Sequence, residues 1–200
     1  LKVTPKAVTV TAESDSFEYD GAAHSNANFT AYGLVGTDAI TAVVTGSIIY
    51  VSQSPVVNEL ASYEFTSGTA SNYSVTTANG SLTMTYGDAQ AITVTADDGS
   101  FEYDGTAHSK DSYVLTIGED KYNVGADGVY TFANGDVLTA TVEGSITNVA
   151  EGEVANAITG LTITNGTEDV SGAYSVEQKN GKLKVTPKAV TVTAESDSFE

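Results

Sequence analysis

The residues that could do chemistry in this chain are its carboxylates, its tyrosines and two histidines. A Tyr-Asp-Gly-x-Ala-His element occurs at Tyr19–His24 and again at Tyr103–His108. Read as chemistry, it offers His24 and His108 as a base or a metal ligand beside an acid. Read as architecture, Asp20 and Asp104 cap a tight turn through their own backbone, with the His packed nearby. The architectural reading is preferred: each half of the chain has one His, no Ser/His/Asp constellation surrounds it, and the usual zinc sites need several such ligands. Carboxylates cluster at Glu13, Asp15, Glu18 and Asp20, and again further along the chain. Calcium needs several converging oxygens. Its candidate ligands are Asp97, Asp98, Glu102, Asp104, Glu119, Asp120 and Asp127. No loop has the EF-hand spacing, and a solvated acidic face accounts for the same residues. Paired carboxylates also serve glycosidases, but the chain has no Trp and no long loops to shape a cleft. Tyr50, Tyr63, Tyr122 and Tyr130 have the chemistry of a sugar-stacking platform, but Tyr is common in strands and core or cross-strand packing is the preferred reading. A Lys–Asn isopeptide bond in each half is not expected, because only Lys6 could serve the first half. Asn-x-Ser/Thr at Asn28, Asn72, Asn79 and Asn165 is what a Thr/Ser-rich chain yields by chance. No catalytic residue and no cofactor is assigned, and the chain is expected not to be an enzyme.

Composition narrows the classes further. The 200 residues carry 26 Asp and Glu against 8 Lys and no Arg, a formal charge of −18. Such a surface repels phosphates, so a nucleic-acid partner is not expected. No apolar run approaches the ~20 residues of a membrane helix. The absence of Cys removes disulfides and thiolate metal sites. With 40% hydrophobic residues and many β-branched ones, the chain is expected to fold.

The strongest organising signal is internal repetition. Residues 1–18, LKVTPKAVTVTAESDSFE, recur unchanged at 183–200. A diverged copy lies between: 13 of 18 positions of AVTVTAESDSFEYDGAAH (7–24) match AITVTADDGSFEYDGTAH (91–108). The register continues through DAITAVVTGSI (38–48) with DVLTATVEGSI (136–146), and NYSVTTANGSLTM (72–84) with AYSVEQKNGKLKV (173–185). The expected organisation is residues 1–6 as the last strand of a preceding repeat, 7–90 and 91–188 as two repeats, and 189–200 as the first strand of a following one. The second repeat is longer by about 14 residues, inserted near 109–135 and centred on IGEDKYNVGADGVY.

Alternation with a period of two marks the strands that must position these residues. AVTVTA and AITVTA are the clearest, followed by ITAVVTGSIIYV, SYEFTS, NYSVTT, SLTMTY, VLTATVEGSITNV, AITGLTITN, AYSVEQ and GKLKV. Asn-Gly and Asp-Gly dipeptides fall between them and suit positive-φ turns. No 3.6-residue apolar stripe competes, so the fold class is all-β. Units of this size with turns at this spacing suit a seven- or eight-strand sandwich. The expected core is Val8, Val10, Phe17, Tyr19, Val43, Ile48, Phe65, Tyr73, Val75 and Leu82. In the second repeat it is Ile92, Val94, Phe101, Tyr103, Val142, Ile146, Ile163, Tyr174, Val176 and Leu183. AVTVTA is expected to pair near GSLTM and AITVTA near GKLKV, so that tension along the chain shears several hydrogen bonds together. The Thr-Pro-Lys junction is expected to be stiff because proline fixes φ. The MTYGDAQAI junction, with Gly87, should bend more easily.

SFEYDGxAH after a Thr/Val strand, together with NYSVxxxNGxLxVTPKAVTVTA, resembles the bacterial immunoglobulin-like repeats of the MBG or YDG type, over essentially the whole chain. The resemblance implies tandem immunoglobulin-like β-sandwiches in an extended array, without catalysis. It implies a secreted or cell-surface location in a large adhesin, where the segment is a stalk giving reach, stiffness and load-bearing. Its partners would be neighbouring repeats of the same chain. The insertion of the second repeat departs from the family pattern. It is the natural place for an alternative use, a glycan- or protein-binding module built on residues 118–130. In a further alternative the segment is a subunit of an extracellular filament, with other copies as partners and the uncharged strands AVTVTA and AITVTA as the interface.

Overall fold

A computed structural model describes residues 2–196. The chain is all-β, with four single-turn 3-10 segments as its helical content among the described residues. The strands are β1 (Lys6–Ala12), β2 (Asp15–Glu18), β3 (Phe29–Tyr32), β4 (Ala39–Thr45), β5 (Val56–Ser67), β6 (Tyr73–Ala78) and β7 (Gly80–Thr85). They continue as β8 (Gln90–Ala96), β9 (Gly99–Glu102), β10 (Tyr113–Ile117), β11 (Asp120–Val124), β12 (Val129–Thr131) and β13 (Val137–Glu143). The last are β14 (Glu153–Asn165), β15 (Glu168–Asp169), β16 (Tyr174–Lys179) and β17 (Gly181–Thr186). Residues 187–196, which include the copy of the β1 sequence, form no strand. Residues 197–200 of that copy lie outside the described residues.

The chain folds as two compact units. The first runs through Ala89 and includes Ala133–Asp136 and Thr164–Ala173; the second holds Gln90–Phe132, Val137–Ile163 and the chain from Tyr174 onward. In the first unit one sheet has the order β3-β1-β6 and the other β2-β7-β5-β4. Their inner faces meet in one core, where Val8, Val10 and Tyr73 of the first sheet pack with Leu60 of the second. Phe29, Ala31, Ile40, Ala42, Val44 and Phe65 fill in around them. This is a β-sandwich-like layering, and the alternation of β1 explains it: Val8, Val10 and Ala12 point inward, where each is at most 1% exposed. In the second unit the orders are β11-β10-β8-β16 and β12-β13-β14-β17-β9. Thr164 and Asn165 at the end of β14 pair with β15 and belong to the first unit.

Pairing of the terminal strands differs from the expectation. β1 pairs in parallel with β6, not with GSLTM. GSLTM lies between β5, its antiparallel neighbour, and β2, which pairs with it in parallel with Asp15 opposite Leu82 and Glu18 opposite Thr85. The second unit repeats this, β8 with β16 and β9 with β17. The cause is a change of sheet just after β1: the chain crosses at Glu13–Ser14, so AVTVTA and DSFE serve different sheets. β1 and β8 are interior strands, each paired on both sides. They are therefore not the exposed edges that the filament alternative invoked.

Two core expectations are also corrected. Val43 is 55% exposed and Tyr103 40%. The inward residues of β4 are Ile40, Ala42 and Val44, so the counterpart of buried Val142 is Val44. A slip of one residue moves a side chain to the other face. Phe17, Phe65, Val75, Phe101 and Val176 are partly buried, and the remaining expected core residues are buried.

The insertion of the second repeat is a strand addition. Residues 120–124 form β11, the sheet edge, paired antiparallel with β10. Val124 within the inserted stretch and Phe132 just after it are buried, at 5% and 7% exposure.

Candidate functional site

The Tyr-Asp-Gly-x-Ala-His element builds the same turn twice. In the first copy Asp20 Oδ1 accepts the Ala22 N–H at 2.8 Å and lies 2.9 Å from His24 Nε2. In the second Asp104 Oδ1 accepts the Thr106 N–H at 2.8 Å and the Thr106 hydroxyl at 2.7 Å, and lies 3.0 Å from His108 Nε2. Each His ring stacks on a Phe, Phe17 at 4.8 Å and Phe101 at 4.6 Å between centroids. Each His backbone bridges to an isoleucine, His24 to Ile48 and His108 to Ile146. The Asp20 carboxyl is held below its usual range by the His24 bond and then the Ala22 N–H; that of Asp104 is lowered chiefly by the Thr106 N–H. Every polar side-chain atom named here acts within the turn.

The turn positions a tyrosine. Tyr19 follows β2 directly, and its N–H donates to the Thr85 carbonyl, extending the parallel ladder by one rung. The side chain is thereby held against a polar cluster of the first unit. Its hydroxyl donates to Asp136 Oδ1 at 2.6 Å. Asn165 Nδ2 donates to the same oxygen at 2.8 Å, and Asn134 Nδ2 to Asp136 Oδ2 at 2.9 Å. Tyr50 donates its hydroxyl to Asn165 Oδ1 at 3.2 Å. Asp136 is fully buried, and these donors satisfy a carboxylate that would otherwise be costly to desolvate. Tyr86 packs edge-on against Tyr19 at 5.8 Å and donates to the Asp169 carbonyl. Ser52 donates to Glu168 at 2.8 Å. Burial, followed by the neighbouring Asp136, pushes the Tyr19 phenol well above its ordinary range. The sequence offers Tyr19 as core, Tyr50 as a sugar platform, and Asn134 and Asn165 as Asn-Gly turns; it gives Asp136 no role. The signal was an Asn-Gly-Asp run and a second Asn-Gly, which look like plain turns.

A second polar device repeats in both units. Asn58 is fully buried, and its Nδ2 donates to the carbonyls of Glu13 at 2.8 Å and Asn26 at 2.9 Å. Asn156 does the same for Asp97 at 2.9 Å and Lys110 at 2.7 Å. These carbonyls lie where the chain changes sheet. The Gly of the adjoining Asn-Gly pair lets the backbones meet: a Cβ on Gly80 would sit 2.3 Å from the Glu13 carbonyl oxygen, and one on Gly181 2.4 Å from that of Asp97. These two glycines serve close approach, not a positive-φ turn.

The calcium candidates are not brought together. Among the described residues no three His, Asp or Glu side chains are placed to hold a metal ion. Asp97 accepts the Ser112 hydroxyl, and Asp98 accepts the Lys182 N–H at 2.7 Å. Asp104 is engaged in its turn, and Glu102, Glu119, Asp120 and Asp127 are exposed. Of the tyrosines, Tyr122 on the edge strand β11 and Tyr130 on β12, the edge of the other sheet, have ring centroids 5.0 Å apart, and Tyr130 continues through Phe132 to Tyr174 in an aromatic run. Tyr63 is 40% exposed on β5. An open groove of about 700 Å³ over β13 is lined by Asp111, Asp127, Thr139, Thr141 and Glu143 among others. No described helix is long and apolar enough to cross a membrane.

No protein-family model matches the chain, and no curated protein matches it.

Proposed function

We propose that this chain is a structural segment of a secreted or cell-surface repetitive protein of the adhesin-stalk kind, made of tandem immunoglobulin-like sandwiches that resemble MBG or YDG repeats. Its work is to span distance and carry tension while other regions bind; the role is not catalytic. The observation that carries this reading is the parallel pairing of the first strands of each unit with its last strands, β1 with β6 and β2 with β7, β8 with β16 and β9 with β17. A pull on the two ends of such a unit loads parallel ladders in shear, so several hydrogen bonds must break together. The duplicated sequence supports the same reading, because a load-bearing segment gains length by copying a unit. The charge of −18 keeps a long protein soluble and discourages lateral adhesion.

The test is single-molecule stretching between the two ends of the chain. Two discrete unfolding peaks are expected, each releasing on the order of 250–350 Å of chain for units of this size. Extension without resistive peaks would overturn the reading.

A further inference from the structure

The two Tyr-Asp-Gly turns share a backbone and differ in what covers them. Gly21 and Gly105 adopt φ of 83° and 84°. A Cβ on Gly21 would lie 2.3 Å from the Asn134 carbonyl oxygen, whereas no described residue stands within 4 Å of one on Gly105. Tyr19 is 9% exposed and Tyr103 40%. The ladder beneath them is the same, since the Tyr103 N–H donates to the Thr186 carbonyl at 2.9 Å as that of Tyr19 does to Thr85 at 2.8 Å. The first turn is capped by the loop Ala133–Asp136; no described residue caps the second turn in this way.

The counterpart of that capping loop in the first repeat, aligned on DAITAVVTGSI with DVLTATVEGSI, is Val35–Asp38. This loop is itself open. Val35 is 52% exposed, and nothing stands within 4 Å of a Cβ on Gly36. Asp38 occupies the position of Asp136 and accepts the Tyr73 hydroxyl. One chain thus presents both halves of a contact that the first unit already makes once.

We propose that Tyr103–Gly105 of one copy docks on Val35–Asp38 of a second copy, with the Tyr103 hydroxyl donating to the Asp38 carboxylate. The contact joins two different surfaces, so a copy engaged through its turn still carries a loop able to receive another turn. It is weaker than its counterpart in the first unit: Gly36 and Ser67 stand in place of Asn134 and Asn165, and Asn148 and Pro187 in place of Tyr50 and Tyr86. A Kd on the order of 0.1–1 mM follows for so small a polar contact. The inference rests on the reading that repeats work joined end to end.

Sedimentation velocity on the full chain tests it, at concentrations up to about 1 mM and about 0.3 M salt, where self-repulsion is screened. The sedimentation coefficient should rise with concentration. Asp38→Asn and, separately, Tyr103→Phe should each weaken association roughly tenfold, the loss expected for a hydrogen bond to a charged group. Tyr122→Ala, at another exposed tyrosine, should leave association unchanged. An equimolar mixture of D38N and Y103F should stop at dimers, because only one productive pair of faces remains. A chain that stays monomeric throughout, or one whose association is untouched by Y103F and D38N, overturns the inference. Either result leaves the unfolding peaks of a single stretched chain as the separate test of the stalk reading.

Discussion

At the residue scale the protein relies on a few buried polar groups in otherwise plain sandwiches. Asp136 is the most exacting: Tyr19, Asn165 and Asn134 all donate to it. Removing the Tyr19 hydroxyl takes one donor from the carboxylate while the Asn165 and Asn134 amides stay in place, so Tyr19→Phe should cost about 1–3 kcal/mol at neutral pH, measured by denaturant unfolding. The same bond makes stability depend on alkali. The Tyr19 phenol is raised in the folded chain above the ~10 of an unfolded tyrosine. Its contribution is therefore complete below pH ~10 and lost as pH rises toward the folded value. Tyr113, pushed up to about 12 by burial, acts in the same direction. The melting temperature should fall above pH ~10, and more shallowly in Y19F. An equal slope in the two proteins would show that Tyr19 is not the group responsible.

Elements were legible where one face is buried and the other is wet. AVTVTA announced β1 because Val8 and Val10 alternate with Thr9 and Thr11. DSFE and GSFE gave no such signal, being four residues long with a single partly buried Phe each. They became strands because β7 and β17 offered free edges, a tertiary cause that no local pattern displays. ITAVVTGSIIYV looked like one strand, yet β4 ends at Thr45. A Cβ at Gly46 would sit 2.6 Å from Asn58 Oδ1, so the chain bends there around the buried asparagine. The misassigned face of β4 arose because Val43 and Val44 are adjacent valines, and the register shift between them is invisible in sequence. The structure makes the two distinguishable by experiment. Val44→Asp should cost several kcal/mol, as an unpaired charge placed against the core. Val43→Asp, on the wet face, should stay within about 1 kcal/mol of the parent. Equal losses in thermal melts would contradict the inward direction of Val44. The Tyr-Asp-Gly turns were the most readable feature of the candidate site. Their partner Asp136 was not, because it lies 117 residues from Tyr19.

At the scale of the whole molecule charge is the governing influence. With −18 spread over 200 residues, the folded chain repels itself more than an expanded one does. The lysine ion pairs that offset this, Lys179 with Glu177 and Lys182 with Glu153, are exposed and individually weak. Added salt should therefore stabilise, with the melting temperature rising by a few degrees between about 0.01 and 0.5 M sodium chloride. Calcium and sodium at matched ionic strength should act alike, since no described cluster of three carboxylates stands ready for the divalent ion. A melting temperature that falls with salt would place paired charges, and not repulsion, in control.

The division of the first unit has a consequence for biosynthesis. Its main body is complete at Ala89, but the pieces that bury Tyr19 arrive at Ala133–Asp136 and Thr164–Ala173. At about 5–20 residues per second, a ribosome makes the last of them many seconds after the body has emerged. During that interval the nascent sandwich carries Tyr19, Tyr50 and Tyr86 bare of their lids, and it matures only when most of its neighbour has been translated.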